Sequence, residues 1–119
     1  MDRVIKFPDA VPQTELSTRF LQAMADNMAQ SHFKYGTIKD SAPQVNFIQC
    51  LEDRLELYKK TGNTDWLVDV ANNAMIEFIA PAHPDAHYRQ TDSDESPGRR
   101  FYGKARSSQR HALDFNSKL

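Results

Sequence analysis

The sequence predicts an all-α protein, a small helical bundle of three main helices followed by a short C-terminal helix or tail. Apolar residues recur at helical spacing in three segments, and Gly or Pro residues separate these segments. No segment alternates for long enough with the period of two that a half-buried strand requires. The chain has 119 residues, 39% hydrophobic and 26% charged, which is typical of one globular domain.

The first helix is predicted to begin near Pro12 and Thr14 and to end at Gly36. A four-residue spacing of apolar side chains marks one face of a helix. In this segment the face consists of Leu16, Phe20, Met24 and Met28. We therefore expect a long helix that packs along one side.

The second helix is predicted over residues 44–60, with Pro43 at its start and Gly62 in the left-handed position after its end. Its expected apolar seam is formed by Ile48, Leu51, Leu55 and Tyr58. The third helix is predicted over residues 65–79, with Asn63 or Thr64 as its cap. More than half of its circumference is apolar, so we expect a homo-oligomer, either a dimer or a tetramer.

The helical core is predicted in residues 10–82, and an extended or partly disordered charged segment in residues 83–119. Residues 64–96 hold seven acidic side chains and one basic one, whereas residues 97–119 hold six basic side chains and one acidic one. The net charge of −1 argues against a uniformly basic nucleic-acid-binding protein, so nucleic acid is not an expected partner.

The sequence favours a cytoplasmic protein without a membrane partner. No stretch approaches the ~20 apolar residues that a membrane-spanning helix needs. The first residues lack the apolar region of a signal peptide. A single cysteine, Cys50, excludes an internal disulfide and favours a reducing compartment.

Acidic side chains lie on the second and third predicted helices. Glu52 and Glu56 border the expected apolar seam, whereas Arg54 points away from it. Asp65 and Asp69 share one face, and no Lys or Arg occurs from residue 65 to residue 86. Carboxylates are ligands that Mg²⁺ prefers, so the pattern is compatible with a metal site. The alternative is that these acids form a solvated rim.

One of these acidic stretches resembles a signature of the all-α NTP pyrophosphohydrolases, the MazG-like and dimeric dUTPase-like proteins. L-E-D-R-L-E, residues 51–56, is similar to the E-E-x-x-E helix of that family. Glu52, Asp53 and Glu56 fall on its acidic positions.

A second stretch, D-W-L-V-D-V-A-N-N-A-M, resembles the E-x-x-D helix of the same family, with Asp69 on the aspartate. Trp66 stands where the family has a glutamate, and Asp65 is the nearest acid. The segment Lys34-Tyr35-Gly36 is similar to phage-type members that act on purine deoxynucleotides.

The resemblance covers roughly residues 15–80 and implies a four-helix, usually oligomeric fold that hydrolyses a nucleoside triphosphate with Mg²⁺ as cofactor. It makes Glu52 and Glu56 the expected catalytic residues. The expected metal ligands are Glu52, Glu56, Asp65 and Asp69. The expected contacts to the nucleotide are Lys34, Tyr35 and Asn73.

Two functions therefore remain open. The first is Mg²⁺-dependent release of pyrophosphate from a nucleotide, with a carboxylate as general base. The second is a non-catalytic helical module that binds a nucleotide-like ligand or a protein partner, which Trp66 favours. Asp69 has a structural alternative as well, because it could pair with a base such as Arg54.

Overall fold

A computed structural model describes residues 5–92 and 94–102, and these residues contain α-helices and short turns but no strand. The four α-helices are α1 (Thr18–Tyr35), α2 (Ile38–Ser41), α3 (Phe47–Thr61) and α4 (Asp65–Ile79). The predicted all-α class with three main helices is confirmed. None of these four helices combines the length and the apolar composition that a membrane-spanning helix needs.

The chain divides after Ala86 into two compact units. All four α-helices belong to the first unit. In the described part of the second unit, residues 87–92 and 94–102, the chain forms turns and segments without regular secondary structure. Residues 103–119, which include most of the predicted basic tail, lie outside the described residues.

A local ion pair organises the described part of the second unit. Nη2 of Arg89 lies 2.6 Å from Oε2 of Glu95, and Arg89 lowers the pKa of the Glu95 carboxyl through this hydrogen bond. Oδ1 of Asp92 accepts hydrogen bonds from the backbone N–H groups of Asp94 and Glu95 at 3.0 and 3.1 Å. The acidic run at residues 92–95 therefore includes a capped turn.

Helix α1 begins later than predicted because Ser17 caps it. The Ser17 hydroxyl accepts a hydrogen bond from the Phe20 backbone N–H at 3.0 Å. Gln13–Glu15 forms a separate 3₁₀ turn, and Leu16, predicted within the helical face, is extended and exposed between the two. Gly36 ends α1 as predicted, with a φ of 83°.

The connection from α1 to α3 contains more structure than predicted. We call residues 37–46 the α2 segment. Thr37 caps α2 by accepting a hydrogen bond from the Asp40 backbone N–H at 3.2 Å. Pro43 lies in a 3₁₀ turn and not at the start of the next long helix. Helix α3 begins later because the Asn46 side chain accepts a hydrogen bond from the Gln49 backbone N–H at 2.9 Å.

The turn between α3 and α4 matches the sequence prediction closely. Gly62 has a φ of 75°, and its N–H donates to the Tyr58 carbonyl at 2.8 Å. The Asn63 side chain accepts a hydrogen bond from the Asp65 backbone N–H at 3.0 Å. Thr64, the other predicted cap, makes no side-chain capping bond. Helix α4 covers the predicted residues.

Helix α4 packs against α3 and, less extensively, against α1. Val68 and Ile76 of α4 are the buried apolar side chains of the described chain, at 6% and 9% exposure. Asn72 lies between them at the same four-residue spacing and is 6% exposed. No described side chain is completely buried, so one copy of the chain has a small core.

The face of α3 that packs in the bundle is broader than the predicted seam. Arg54, predicted to point outward, is half-buried, whereas Ile48, predicted within the seam, is 44% exposed. Phe47, Cys50 and Leu57 are also half-buried and follow one another on the side that contains Arg54. The prediction was wrong for Ile48 and Arg54, and it left these three residues out. It was right for the half-buried Leu51, Leu55 and Tyr58.

The location of the core on α4 gives the first testable prediction. We expect Ile76→Ala to lower the free energy of unfolding by about 2 kcal/mol or more, because the change removes buried methylene groups and leaves a cavity. Ile48→Ala removes the same atoms from a 44% exposed site and should cost less than about 1 kcal/mol. Urea unfolding followed by circular dichroism measures both values. Equal losses would contradict this location of the core.

Candidate functional site

An open cavity lies between the C-terminal half of α1, the α2 segment, α3 and α4. Its volume of about 830 Å³ falls within the range of small-molecule sites, roughly 300–1,000 Å³. Apolar side chains from every one of these elements contribute to its wall. The polar lining includes His32, Tyr35, Arg54, Asp69, Asn72 and Asn73.

Asp69 connects the three long helices at this cavity. Its Oδ2 lies 4.0 Å from Nε of Arg54 on α3, and its side chain is hydrogen-bonded to Asn27 on α1. One turn along α4, Asn73 donates from Nδ2 to the Asp69 carbonyl at 2.8 Å. Asp69 thus makes the ion pair with Arg54 that the sequence offered as its structural alternative.

The environment of Asp69 disfavours its charged form. Burial raises the pKa of the Asp69 carboxyl, and the nearby carboxylate of Asp65 raises it further. Arg54 and the Asn27 hydrogen bond act in the opposite direction without reversing the shift of this pKa. A hydrogen-bond donor or a cation that enters the cavity would stabilise the carboxylate.

Two buried polar atoms of the cavity wall have no hydrogen-bond partner. Nδ2 of Asn72 donates to the Met24 carbonyl at 3.1 Å, but Oδ1 accepts nothing. Nε of Arg54 is also buried without a hydrogen bond, although Nη1 donates to the Cys50 carbonyl at 3.5 Å. An unpaired buried donor or acceptor costs about 1–3 kcal/mol, so both atoms favour a ligand that pairs with them.

The acids predicted as Mg²⁺ ligands lie in different environments. Glu52 and Glu56 are exposed on α3, and Oε2 of Glu56 lies 3.2 Å from Nζ of Lys59. Asp65 is exposed at the start of α4, while Asp69 is half-buried. Within residues 5–92 and 94–102, no three His, Cys, Asp or Glu side chains are grouped to hold a metal ion. The donor set does not fit one Mg²⁺ site within a single copy, and this site stays a prediction.

The residues predicted to contact a nucleotide are partly brought together. Tyr35 and Asn73 line the cavity, whereas Lys34 does not contribute to its wall. Lys34 and Tyr35 are both exposed, and Nζ of Lys34 lies 5.2 Å from the centre of the Tyr35 ring. This cation–π contact places a positive charge beside the aromatic ring at the end of α1.

Sequence reasoning offered Arg54 only as a structural partner of Asp69 and missed Asn72 as a site residue. The seam predicted for α3 was too narrow and left Arg54 on the solvent side. Asn72 was counted with the other polar residues of α4, although it interrupts the row formed by Val68 and Ile76. A polar residue at the centre of such an apolar row is the signal that identifies it, because side chains four residues apart share one face.

Comparison with protein-family models, with curated proteins and with solved structures found no match to this chain. The function is therefore argued from the cavity and its side chains. The resemblance to the pyrophosphohydrolases stays an expectation from two short motifs.

The raised pKa of Asp69 predicts how stability depends on pH. Because the folded-state pKa lies above the ordinary value of 3.8, the folded protein holds this proton more tightly than the unfolded chain. The stability that this group contributes is complete below 3.8 and is lost as the pH rises through the folded-state pKa. The free energy of unfolding of the wild type, relative to Asp69→Asn, should therefore fall as the pH rises through this window.

Urea unfolding at a series of pH values tests this expectation. Asp53→Asn removes the same charge from an exposed position on α3, so its profile corrects for the change in net charge. A wild-type advantage that grows with pH would contradict the expectation. In that case the ion pair between Asp69 and Arg54 would outweigh the burial of the carboxylate.

Proposed function

We propose that this protein is a helical binding module that takes a nucleotide-like small molecule into the cavity lined by Arg54, Asp69 and Asn72. The observation that carries the proposal is the buried Asn72, whose Oδ1 is unpaired on a residue that lines an open cavity. Unpaired buried polar groups are uncommon in native proteins and call for a physical explanation. A ligand N–H or O–H group that reaches Oδ1 would supply the partner.

The lining suits a heterocyclic base. Arg54 offers a donor, while Asp69 and Asn72 offer acceptors, and a nucleobase presents both kinds of group along one planar edge. The apolar wall would cover the faces of the ring, and the exposed Tyr35 offers an aromatic surface for stacking. Lys34, beside Tyr35, is placed to attract a phosphate that extends out of the cavity.

Mg²⁺-dependent pyrophosphate release is the second candidate. It is supported by the repulsion between Asp65 and Asp69, which raises the pKa of Asp69 and which a divalent cation would relieve. It ranks second because Glu52 and Glu56, the expected catalytic residues, are exposed and do not line the cavity.

Calorimetric titration with nucleosides and nucleotides, with and without Mg²⁺, tests the binding proposal. We expect Asn72→Leu, which keeps the number and branching of the side-chain heavy atoms but removes both polar ones, to weaken binding by at least about tenfold, or 1.4 kcal/mol. Glu52→Gln changes an exposed carboxylate and should leave affinity unchanged. Arg54→Lys keeps the charge but removes the unpaired Nε donor, and should also weaken binding.

Circular dichroism and thermal melts confirm that each variant is folded, since Asn72 also bonds to Met24. Full affinity in Asn72→Leu would contradict the proposed site. Mg²⁺-dependent release of pyrophosphate that is lost in Glu52→Gln would instead support the hydrolase.

We also propose that the protein forms a homo-oligomer, a dimer or a tetramer, in the cytoplasm. The core around Val68 and Ile76 buries little apolar surface, and a single small domain with such a core is marginally stable. Phe33 of α1 is 91% exposed, and Ile48 and Ile79 are exposed as well. A second copy that covers such side chains would add the apolar burial that one copy lacks.

Sedimentation velocity at micromolar concentration tests the oligomer. We expect a mass that is a multiple of 13.6 kDa, and we expect Phe33→Ser to shift the protein toward the monomer. Gln30→Ser, at an exposed polar position of the same helix, serves as the control. A stable monomer of 13.6 kDa in the wild type would contradict the proposal.

A further inference from the structure

The α2 segment separates two cavities. One is the cavity of about 830 Å³ that contains Asn72 in its wall. The other, of about 870 Å³, lies between the α2 segment and residues 79–82 at the end of α4. Ile38, Gln44 and Val45 line both cavities. The α2 segment is therefore a thin wall with open space on both sides.

Local hydrogen bonds tie the α2 segment to itself. The Asp40 backbone N–H donates to the Thr37 hydroxyl, and the Ser41 hydroxyl donates to the Thr37 carbonyl at 2.6 Å. Nε2 of Gln44 donates to the Asp40 carbonyl at 3.5 Å. Helix α2 has its main packing contact with the 3₁₀ turn that follows it. These bonds favour movement of the segment as one unit.

The α2 segment has a non-helical residue near each end, Gly36 and Val45. Gly36 has φ 83° and ψ −155°, a combination that is essentially restricted to glycine. No atom lies within 4 Å of the position that a Cβ would occupy there, so close packing does not require the glycine. At the other end, Val45 is extended, with φ −121° and ψ 131°. A change at these positions can reorient the residues between them.

A ligand also needs a route to the buried polar atoms of the cavity wall. Oδ1 of Asn72 and Nε of Arg54 are both buried atoms. They become accessible to a ligand only when part of the wall moves. Among the helices of the wall, α2 is the one that does not pack extensively on a long helix.

We propose that residues 37–44 of the α2 segment are a lid that opens as a unit about Gly36 and Val45 and exposes the buried polar atoms of the cavity wall. The closing of this lid over a nucleotide-like ligand rests on the proposed function. The opening itself is a property of the free protein. It is expected whether or not the ligand has been identified correctly.

Cys50 is a built-in probe of this opening. It is the single cysteine of the chain, a half-buried free thiol, and it lines the same cavity. Its thiolate attacks dithiobis-nitrobenzoate, forms a mixed disulfide and releases a coloured thiolate, so the reaction rate reports access to the cavity. Local opening of a lid exposes little surface, and the rate should then depend on urea much less steeply than global unfolding does.

Two glycine variants separate the hinge from general destabilisation. Gly36 and Gly62 both have positive φ and open space where the methyl group of an alanine would lie, but Gly62 belongs to the turn between α3 and α4. Alanine fits the φ 75° and ψ 5° of Gly62 better than the geometry of Gly36. In the absence of urea, we expect Cys50 to be modified at least about fivefold faster in Gly36→Ala than in Gly62→Ala, because alanine strains the closed conformation more at position 36.

Three results would overturn the lid. The first is a urea dependence of the Cys50 rate equal to that of global unfolding. The second is an equal effect of Gly36→Ala and Gly62→Ala. The third is a rate equal to that of a free cysteine, because no wall would then cover the thiol.

The same assay distinguishes failure of the lid from failure of the proposed function. If local opening is observed but no nucleoside slows the modification of Cys50, the result supports the lid and contradicts the proposed ligand. If a nucleoside slows the modification of Cys50 but this reaction proceeds only through global unfolding, the result supports the proposed ligand and contradicts the lid.

Discussion

The half-buried carboxylate of Asp69 is the constraint on which the arrangement of the long helices depends. It receives a hydrogen bond from Asn27 on α1 and lies 4.0 Å from the guanidinium of Arg54 on α3. Among the described residues the buried apolar side chains are Val68 and Ile76, so this polar junction adds contacts between helices whose fully buried core is small. Such a junction costs stability, since burial raises the pKa of Asp69 and leaves Nε of Arg54 without a hydrogen bond.

Asn72 adds a second cost at the same place. A leucine between Val68 and Ile76 would extend the apolar row of α4 and would avoid an unpaired Oδ1. The hydrogen bond from Nδ2 to the Met24 carbonyl pairs the nitrogen of the side-chain amide but not its oxygen. Departures from good core design in native proteins are concentrated at functional sites, where the energetic cost is offset elsewhere. Asn72 and Asp69 are three residues apart on α4, so both departures lie on the wall of one cavity.

The sequence predicted those parts of the fold that local signals specify. The bounds of α4 and the turn at Gly62 follow from residues within a few positions of one another. The start of α1 depends on Ser17 as its cap, and the existence of α2 depends on Thr37 as its cap. Other residues that can cap a helix lie near both, so the sequence did not single these two out. The site was harder to predict, because the partner of Arg54 lies on another helix. The burial of Arg54 depends on the rotation of α3 about its own axis, and the apolar residues of α3 define this rotation only broadly.

That rotation decides which group meets Asp69. Had α3 turned Glu52 and Glu56 toward α4, Asp69 would face other carboxylates, and a bound cation would be needed to hold them together. In the observed orientation the two glutamates are exposed, and Arg54 supplies a positive charge from the chain itself. An arginine is always charged, and its planar set of donors recognises oxygen acceptors, but it supplies no metal-bound water for hydrolysis. The same acidic helix is therefore compatible with two functions, and the side of α3 that packs on α4 favours recognition of a ligand over its hydrolysis.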